Sequence, residues 1–270
     1  MLVADFDVVR DTVLAVIQGL TEFLPVSSSA HLILPSELLG WEDQGLNFDV
    51  ALHFGSLIAV LLYYRKDLLQ LGGAMLRQMT QRQDSPESRL SWHLVLATIP
   101  AAIVGKLFEH QVETTFRSVH VIVVTTLFYG VLLGIADRTA KQNRGLHELT
   151  WRTSLMIGLA QMLALVPGTS RSGITMTAAL FSNLKRADAA RFSFLMSIPI
   201  IGGGAVLKLV ELLRLPDVNW SELGFAALVA GVTAYLCIHY FLKLITNFSF
   251  MPFVIYRVLL GLALLAIVGF

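Results

Sequence analysis

Residues 167–173 read Pro167-Gly168-Thr169-Ser170-Arg171-Ser172-Gly173 and lie between two apolar segments, Thr153 to Val166 and Ile174 to Phe181. The proline and the two glycines oppose a continuous helix, so the stretch is predicted to be a loop. Its hydroxyl groups and the forked cation of Arg171 match the oxygens of a phosphate-like group. A solvated surface turn is the alternative, but this loop lies deep in hydrophobic sequence, where unpaired backbone and charge are costly. The stretch therefore predicts an anion clamp.

The composition predicts an integral membrane protein. Hydrophobic residues make up 55% of the 270 and charged residues only 14%, whereas a soluble domain carries about a quarter. The mean hydropathy is +0.69. A net charge of +1, without a basic run that contains aromatic residues, excludes a nucleic-acid partner. The single cysteine, Cys237, excludes an intrachain disulfide.

Six apolar segments are predicted to span the membrane, although several need polar flanking residues to complete the crossing. They are Val50 to Tyr64, Ser91 to Gly105, Val119 to Ala136, Phe192 to Leu207, Leu223 to Leu242 and Phe248 to Phe270. A polar loop is expected from Arg65 to Arg89, and a short outer loop from Lys106 to Arg117. Two further apolar stretches, Val13 to Gly40 and Thr153 to Phe181, are broken by proline and hydroxyl runs. Each is predicted to be a re-entrant helix–loop–helix segment that enters and leaves on one side.

Positive charges predict which side each connection occupies. Five cations lie in Arg65 to Arg89, four in Asp137 to Arg152 and three in Lys185 to Arg191. Cation-rich connections stay in the cytoplasm. With a re-entrant segment between the second and third connections, the chain crosses six times and both termini lie outside.

An internal repeat accounts for the two re-entrant segments. The sequence Gly19-Leu20-Thr21-Glu22-Phe23-Leu24 resembles Gly158-Leu159-Ala160-Gln161-Met162-Leu163, and each precedes a proline, a hydroxyl run and three spans. Units with an odd number of crossings insert in opposite orientations. The predicted fold is thus one all-α polytopic membrane domain, residues 1–270, with an inverted repeat at about 8–136 and 153–270, six transmembrane helices and two re-entrant helix–loop–helix segments. This arrangement would bring the two hydroxyl runs into one pocket.

Glu22 follows Gln18 by four residues, so both side chains share one helix face. Together with phosphate oxygens they would suit a hard divalent cation, Mg²⁺ or Ca²⁺. His31 is predicted to be a nucleophile or a general base, and Ser28 a nucleophile that His31 activates. Both alternatives stay open at this point.

The predicted phosphate-binding groups come from both hydroxyl runs, and Arg171 is expected to neutralise the transferring phosphoryl group. The set is Ser27, Ser29, Thr169, Ser170, Arg171 and Ser172. Four other histidines, His53, His93, His120 and His239, are interpreted as structural. Arg257 interrupts the last span and is predicted to brace the fold through a partner.

The stretch from Gln18 to His31 resembles the glutamate-rich motif and Ser/His segment of the undecaprenyl-pyrophosphate phosphatase family, the bacitracin-resistance proteins. Pro167 to Gly173 is similar to the family's second signature, and Arg191 to Leu195 with Phe253 to Gly261 extends the match over nearly the whole chain. The resemblance implies hydrolysis of undecaprenyl pyrophosphate to the monophosphate and inorganic phosphate, which recycles the lipid carrier for peptidoglycan synthesis. It also implies a divalent metal, the bacterial inner membrane and a pocket that opens to the periplasm.

Carried over residue by residue, the resemblance places metal-associated positions at Gln18 and Glu22, the catalytic serine and histidine at Ser28 and His31, and the pyrophosphate-binding arginine at Arg171. Position 18 carries glutamine where many members carry glutamate. The implied partners are a polyprenyl diphosphate substrate and membrane lipids, and a homodimer is left open. The alternative function is a polyprenyl-phosphate transporter or flippase, because inverted repeats with paired re-entrant segments are typical of transporters.

Overall fold

The computed structural model describes residues 7–41, 45–108, 118–214 and 218–268. Within these ranges the regular elements are helices, accompanied by an isolated bridge between Arg144 and Leu184. The helices are α1 (Val8–Thr21), α2 (Ser28–Leu39), α3 (Gly45–Tyr63), α4 (Arg65–Gln81), α5 (Pro86–Leu107), α6 (Val119–Thr139), α7 (Trp151–Met162), α8 (Arg171–Phe181), α9 (Arg186–Leu212), α10 (Trp220–Asn247) and α11 (Met251–Val268). Short 3-10 turns occupy Leu146–Glu148 and Leu163–Leu165.

Five described helices are long and apolar enough to cross a membrane, namely α5, α6, α9, α10 and α11. A sixth span is reached when α3 and α4, which are bent by 74° at their junction, are taken as one. The all-α polytopic membrane fold is therefore confirmed. Residues 109–117 of the predicted outer loop, and the last two residues of the predicted final span, lie outside the described ranges.

The polar loop predicted from Arg65 to Arg89 is largely wrong, because α4 occupies most of it. Leu71 and Ala74 are buried and lie on one face of α4, which packs against α5. Ser91 and Trp92 of α5 fix that packing: Ser91 Oγ donates to the Leu71 carbonyl at 3.1 Å, and the Trp92 indole N–H donates to Gln78 at 2.8 Å. Tertiary packing therefore makes a helix of a segment that is too polar to be recognised as a span.

The predicted loop at residues 167–173 is shorter than the sequence suggests. Ser170 ends it, because its Oγ accepts a hydrogen bond from Gly173 N at 3.1 Å and so caps α8, which begins at Arg171. A Cβ on Gly173 would lie 3.0 Å from Arg257 Nη1, so glycine at this position lets the Arg257 side chain pack closely against α8. In the same way α2 begins at Ser28, so the second half of each hydroxyl run is helical.

Contacts among the cation-rich segments bring all three to one end of the bundle, called the cationic end below. Arg191 pairs with Asp67, which joins the third segment to the first. Arg186 Nε donates to Asp137 Oδ1 at 2.6 Å, which joins the third segment to the second. The Arg144 N–H donates to the Asn183 carbonyl at 3.0 Å and closes the hairpin formed by α7 and α8 at this end.

The hairpin formed by α1 and α2 contacts the opposite end. Ile33 and Leu34 of α2 share a core cluster with Val119 and Ile122, at the start of α6. Because Asp137, in the last turn of α6, lies in the cationic end, the start of α6 lies at the other end of the bundle. The two hairpins thus enter from opposite ends. The repeat boundaries at 8–136 and 153–270, and re-entrance into a membrane, stay predictions.

Arg257 of α11 joins the tips of both hairpins. Its side chain is fully buried, and it donates to five backbone carbonyls, which is the bracing role that the sequence predicts. The acceptors are Pro25 at 3.3 Å, Thr125 at 3.3 Å, Thr126 at 3.2 Å, Gly168 at 2.8 Å and Thr169 at 3.0 Å.

Candidate active site

The two hairpin tips share an unusual backbone geometry. Ser27 has φ 76° and ψ 96°, and Ser170 has φ 72° and ψ 113°, each at the residue that precedes a helix. Non-glycine residues rarely adopt positive φ, and such strain concentrates at functional sites. The hydroxyl of each also lies 3.2 Å from a serine two residues later, Ser29 and Ser172 respectively. The two turns therefore present serines in matching positions.

A cavity of about 430 Å³ lies between the two tips and the helices α3, α5 and α9. Six of the residues predicted from the sequence line it: Glu22, Ser27, Ser28, Ser29, Ser170 and Arg171. The cavity is far from the cationic end, since it reaches Asp49 near the start of α3 and Lys208 near the end of α9.

Glu22 is the centre of the polar contacts in this cavity. Its Oε1 accepts a hydrogen bond from Arg171 Nη2 at 3.0 Å. Its Oε2 accepts from Ser28 Oγ at 2.7 Å and from Gln18 Nε2 at 3.1 Å. Since a buried carboxylate needs such partners, the ion pair and hydrogen bonds offset the cost of desolvation. The motifs of the two hairpins, 149 residues apart, therefore meet at one carboxylate.

Arg171 is held in place at the first residue of α8. Its Nη1 donates to the Ser193 carbonyl at 3.2 Å, and its guanidinium carbon lies 6.0 Å from the centre of the Phe23 ring. The side chain is 13% exposed and lines the cavity. The arginine predicted to be the anion clamp thus faces a cavity with its orientation already fixed.

His31 lies outside the cavity lining. Its Nδ1 donates to the Ser27 carbonyl at 2.7 Å, and its Nε2 lies 2.5 Å from the Tyr256 hydroxyl. The two rings are stacked, with centroids 5.7 Å apart. Ser28 donates to Glu22, so the predicted activation of Ser28 by His31 has no matching hydrogen bond among the described residues.

Three other predicted residues also lie behind the lining. Ser172 Oγ donates to the Leu24 carbonyl at 2.8 Å, which joins the two tips. Thr169 is fully buried, and no described residue forms a hydrogen bond with its hydroxyl. Gln18 is fully buried beside Glu22.

The polar residues that line the cavity and were not predicted from the sequence are Asp49, His53, Gln161 and Lys208. His53 Nδ1 donates to the Asp49 carbonyl at 2.7 Å, so Nε2 points away from it and lies 3.7 Å from Glu22 Oε2. His53 therefore differs from His93, which bonds Ser154 at 2.9 Å in the packing between α5 and α7. Gln161 occupies the position of Glu22 in the second repeat motif, so the alignment of the two motifs could have identified it as a site residue.

The cavity fits a divalent cation only if the substrate supplies some of the ligands. Among the described residues there is no group of three His, Cys, Asp or Glu side chains that could hold a metal. Gln18 Oε1, however, is buried beside Glu22 without a hydrogen-bond partner in the described part of the chain. If the Gln18 amide, whose Nε2 faces Glu22, turned its oxygen to the same side, the two oxygens would form a pair that hard cations accept together with phosphate oxygens and water.

Comparison with known proteins gives matches over nearly the whole chain. The family model described as bacitracin resistance protein BacA matches residues 11–263. An undecaprenyl-diphosphatase of Hahella chejuensis is 54% identical over 254 residues, 94% of this chain and 95% of the relative. An undecaprenyl-diphosphatase of Teredinibacter turnerae is 53% identical over 261 residues, 96% and 98% of the two chains. That of Saccharophagus degradans is 52% identical over 267 residues, 98% and 99% of the two chains. The chain therefore belongs to the bacitracin resistance protein BacA family.

Proposed function

We propose that this protein hydrolyses undecaprenyl pyrophosphate to undecaprenyl phosphate and inorganic phosphate, and so recycles the lipid carrier for peptidoglycan synthesis. The observation that carries the proposal is the meeting of Arg171, Glu22 and Ser28 in one cavity of a membrane-embedded bundle. The names of the relatives support the same activity, and they favour hydrolysis over the alternative of a transporter or flippase.

The diphosphate group is bound between the two hairpin tips. Arg171 supplies a fork that matches two phosphate oxygens. Ser27, Ser29 and Ser170 supply hydroxyl donors around the same space. Helices α2 and α8 begin at this cavity. The first backbone N–H groups of a helix have no partner within the helix and favour binding of an anion. Donors from both hairpins therefore surround the place of the substrate.

Ser28 is the nucleophile in this proposal. Its Oγ attacks the terminal phosphorus while Glu22 Oε2, 2.7 Å away, takes its proton. The bond from that phosphorus to the bridging oxygen breaks, and undecaprenyl phosphate leaves. Water then cleaves the phosphoserine to inorganic phosphate, and the serine oxygen recovers a proton. Arg171 neutralises the phosphoryl oxygens, and because it then shares its charge with phosphate, its hold on Glu22 weakens and the carboxylate becomes a better base.

His31 has a positioning role in this mechanism. Its bonds to the Ser27 carbonyl and the Tyr256 hydroxyl hold the positive-φ turn that orients Ser27 and Ser28. Glu22 and Gln18 are the residues that would hold a divalent cation, Mg²⁺ or Ca²⁺, whose positive charge would further stabilise the phosphate oxygens.

Phosphate release in detergent micelles tests the function directly. The purified protein is expected to release inorganic phosphate from undecaprenyl pyrophosphate in micelles, where no second compartment exists and transport has no meaning. Glu22→Gln should lower the rate by about 100-fold or more, because a neutral amide cannot accept the proton from Ser28. If a relative releases phosphate in this assay and the purified wild-type protein does not, the proposal is contradicted. An unchanged rate in Glu22→Gln would show that Glu22 takes no part in the reaction.

The nucleophile is tested by trapping the covalent intermediate. After brief incubation with substrate labelled in the terminal phosphate, parallel samples are quenched in acid, which preserves phosphoserine, and in alkali, which preserves phosphohistidine. Peptide mapping should locate the label on Ser28. Ser28→Ala should abolish both labelling and turnover, whereas Ser29→Ala, which removes a phosphate-binding hydroxyl but not the nucleophile, should slow turnover and keep the label on Ser28. Phosphohistidine at His31 would instead make His31 the nucleophile.

We further propose the bacterial inner membrane as the location and the periplasm as the side to which the cavity opens. The cavity lies in the half of the bundle opposite the cationic end. Cation-rich connections stay in the cytoplasm, so a cytoplasmic cationic end leaves the cavity on the periplasmic side. Assembly into a homodimer stays a prediction.

A further inference from the structure

A second cavity, of about 600 Å³, forms a groove between α3, α9 and α10. It follows α10 from Trp220 to Leu236, about 24 Å at the helical rise of about 1.5 Å per residue. Among the residues that line it, Trp220 and Tyr235 are the ones that carry polar side-chain atoms. Phe54 and Leu228 on its walls are exposed on the surface of the bundle, so the groove opens sideways toward the bilayer. Its chemistry suits a long apolar chain and offers no place for a charged group.

Close packing of α3 and α10 shapes the lining of this groove. A Cβ added to Gly55 would lie 2.0 Å from the Ala227 carbonyl oxygen, and one on Gly231 would lie 2.9 Å from the Gly55 oxygen. The backbones of the two helices therefore touch at three small residues, Gly55, Ala227 and Gly231, all of which line the groove. Larger side chains such as Phe54 and Leu228 stand beside them.

The groove adjoins the polar cavity. Val50 of α3 and Ala205 of α9 line both. A lipid chain that leaves the polar cavity past these two residues, near Asp49 and Lys208, then reaches the apolar lining of the groove. The long axis of the groove then continues along α3 and α10 within the bilayer.

We infer that this groove binds the polyprenyl chain of the substrate and that it makes the enzyme prefer long-chain diphosphates. The inference depends on the proposed function for the position of the diphosphate. Each isoprene unit that lies in the groove buries apolar area on protein instead of in mobile lipid or detergent, and it fixes the direction from which the diphosphate enters the cavity. A short chain ends before most of the groove is filled, so it gains less.

Filling the groove tests this inference, and Gly224 is the position for it. Gly224 lines the groove, and no atom lies within 4 Å of a Cβ built there. Gly224→Phe should therefore fold while it occupies space intended for the lipid. We expect KM for undecaprenyl pyrophosphate to rise by about tenfold or more, the equivalent of a few buried methylene groups. Leu223 packs with Phe48 and Ala51, so Gly224 lies level with Val50, where the chain enters the groove, and KM for farnesyl diphosphate should rise as well. The chain-length preference itself is measured on the wild-type protein, whose KM should be lower for undecaprenyl pyrophosphate than for farnesyl diphosphate.

Gly203→Phe on α9 is the matched control. A Cβ at Gly203 also has no atom within 4 Å, but Gly203 lines neither cavity. Both KM values should stay at the wild-type level in this variant. An unchanged KM for the long-chain substrate in Gly224→Phe would overturn the inference. A wild-type protein that hydrolyses neither diphosphate would instead contradict the proposed function.

A labelling experiment on the wild-type protein gives a readout that does not depend on the variant folding. The probe is a polyprenyl diphosphate with a diazirine on the isoprene units near the diphosphate. After irradiation, labelled peptides should come from α3 and α10, and an excess of unlabelled undecaprenyl pyrophosphate should suppress them. Labels confined to α6 and α11, on another face of the bundle, would overturn the inference even if Gly224→Phe is too unstable to assay.

Discussion

Arg171→Ala is expected to lower the rate of phosphate release by about 1,000-fold or more, the effect of removing an arginine that stabilises a transferring phosphoryl group. Two contacts explain the size of the effect. The guanidinium lies in the cavity, held by the Ser193 carbonyl and Glu22, so it is oriented before substrate arrives. Its loss also leaves Glu22 with only neutral hydrogen-bond donors and His53 nearby.

The measurement is kcat in micelles, together with the thermal unfolding temperature of each variant. Arg171→Lys should have an intermediate rate, because it keeps the charge and loses the planar fork. Arg138→Ala, at an exposed arginine in the last turn of α6, is the control and should be as active as wild type. A folded Arg171→Ala protein with near-normal turnover would remove the clamp from the mechanism.

Arg257→Leu is expected to lower the free energy of unfolding by about 3–5 kcal/mol, a loss typical of breaking a buried charged network. The leucine fills part of the volume, but the five carbonyl acceptors lose the hydrogen bonds from the buried guanidinium of Arg257. Because two of these carbonyls belong to Gly168 and Thr169, and one to Pro25, activity should fall together with stability.

Thermal and denaturant unfolding in detergent measure this change. Arg257→Lys keeps a buried cation and can satisfy only some of the acceptors, so its stability should lie between wild type and Arg257→Leu. Arg138→Leu is the control, since that side chain is exposed. A stability of Arg257→Leu equal to that of the control would show that the bracing contacts contribute little.

Hydropathy was sufficient to predict the helical membrane fold and the two interrupted segments, because long apolar runs leave few alternatives. It failed for α4, whose polar composition resembles a loop and whose Leu71 and Ala74 find their partners only when α5 packs against them. It also failed for the starts of α2 and α8. A hydroxyl run is compatible with a turn or with a helix cap, and the choice depends on the positive φ of Ser27 and Ser170.

The candidate site could be predicted in part from the repeat. If the two motifs are inverted copies, their tips meet, and Glu22 contacting Arg171 follows from that idea. The neighbours of His31 could not be predicted, because Tyr256 is 225 residues away in the sequence and its position depends on α11 packing. His53 was missed because a single histidine in an apolar helix usually serves packing. Only the geometry places its Nε2 3.7 Å from the carboxylate of Glu22.

The contacts of Arg257 also bear on whether the molecule works as a transporter or as a hydrolase. A transporter that moves a headgroup from one leaflet to the other must open its site to the two sides alternately. Here the Arg257 guanidinium donates hydrogen bonds to backbone carbonyls of both hairpins and of α6, and so holds them together. Separating the hairpins would break several buried hydrogen bonds from Arg257 to backbone carbonyls, and leaving such groups unpaired is costly. The contacts of Arg257 therefore favour a core that keeps one conformation through the reaction, as hydrolysis requires, over one that alternates between two.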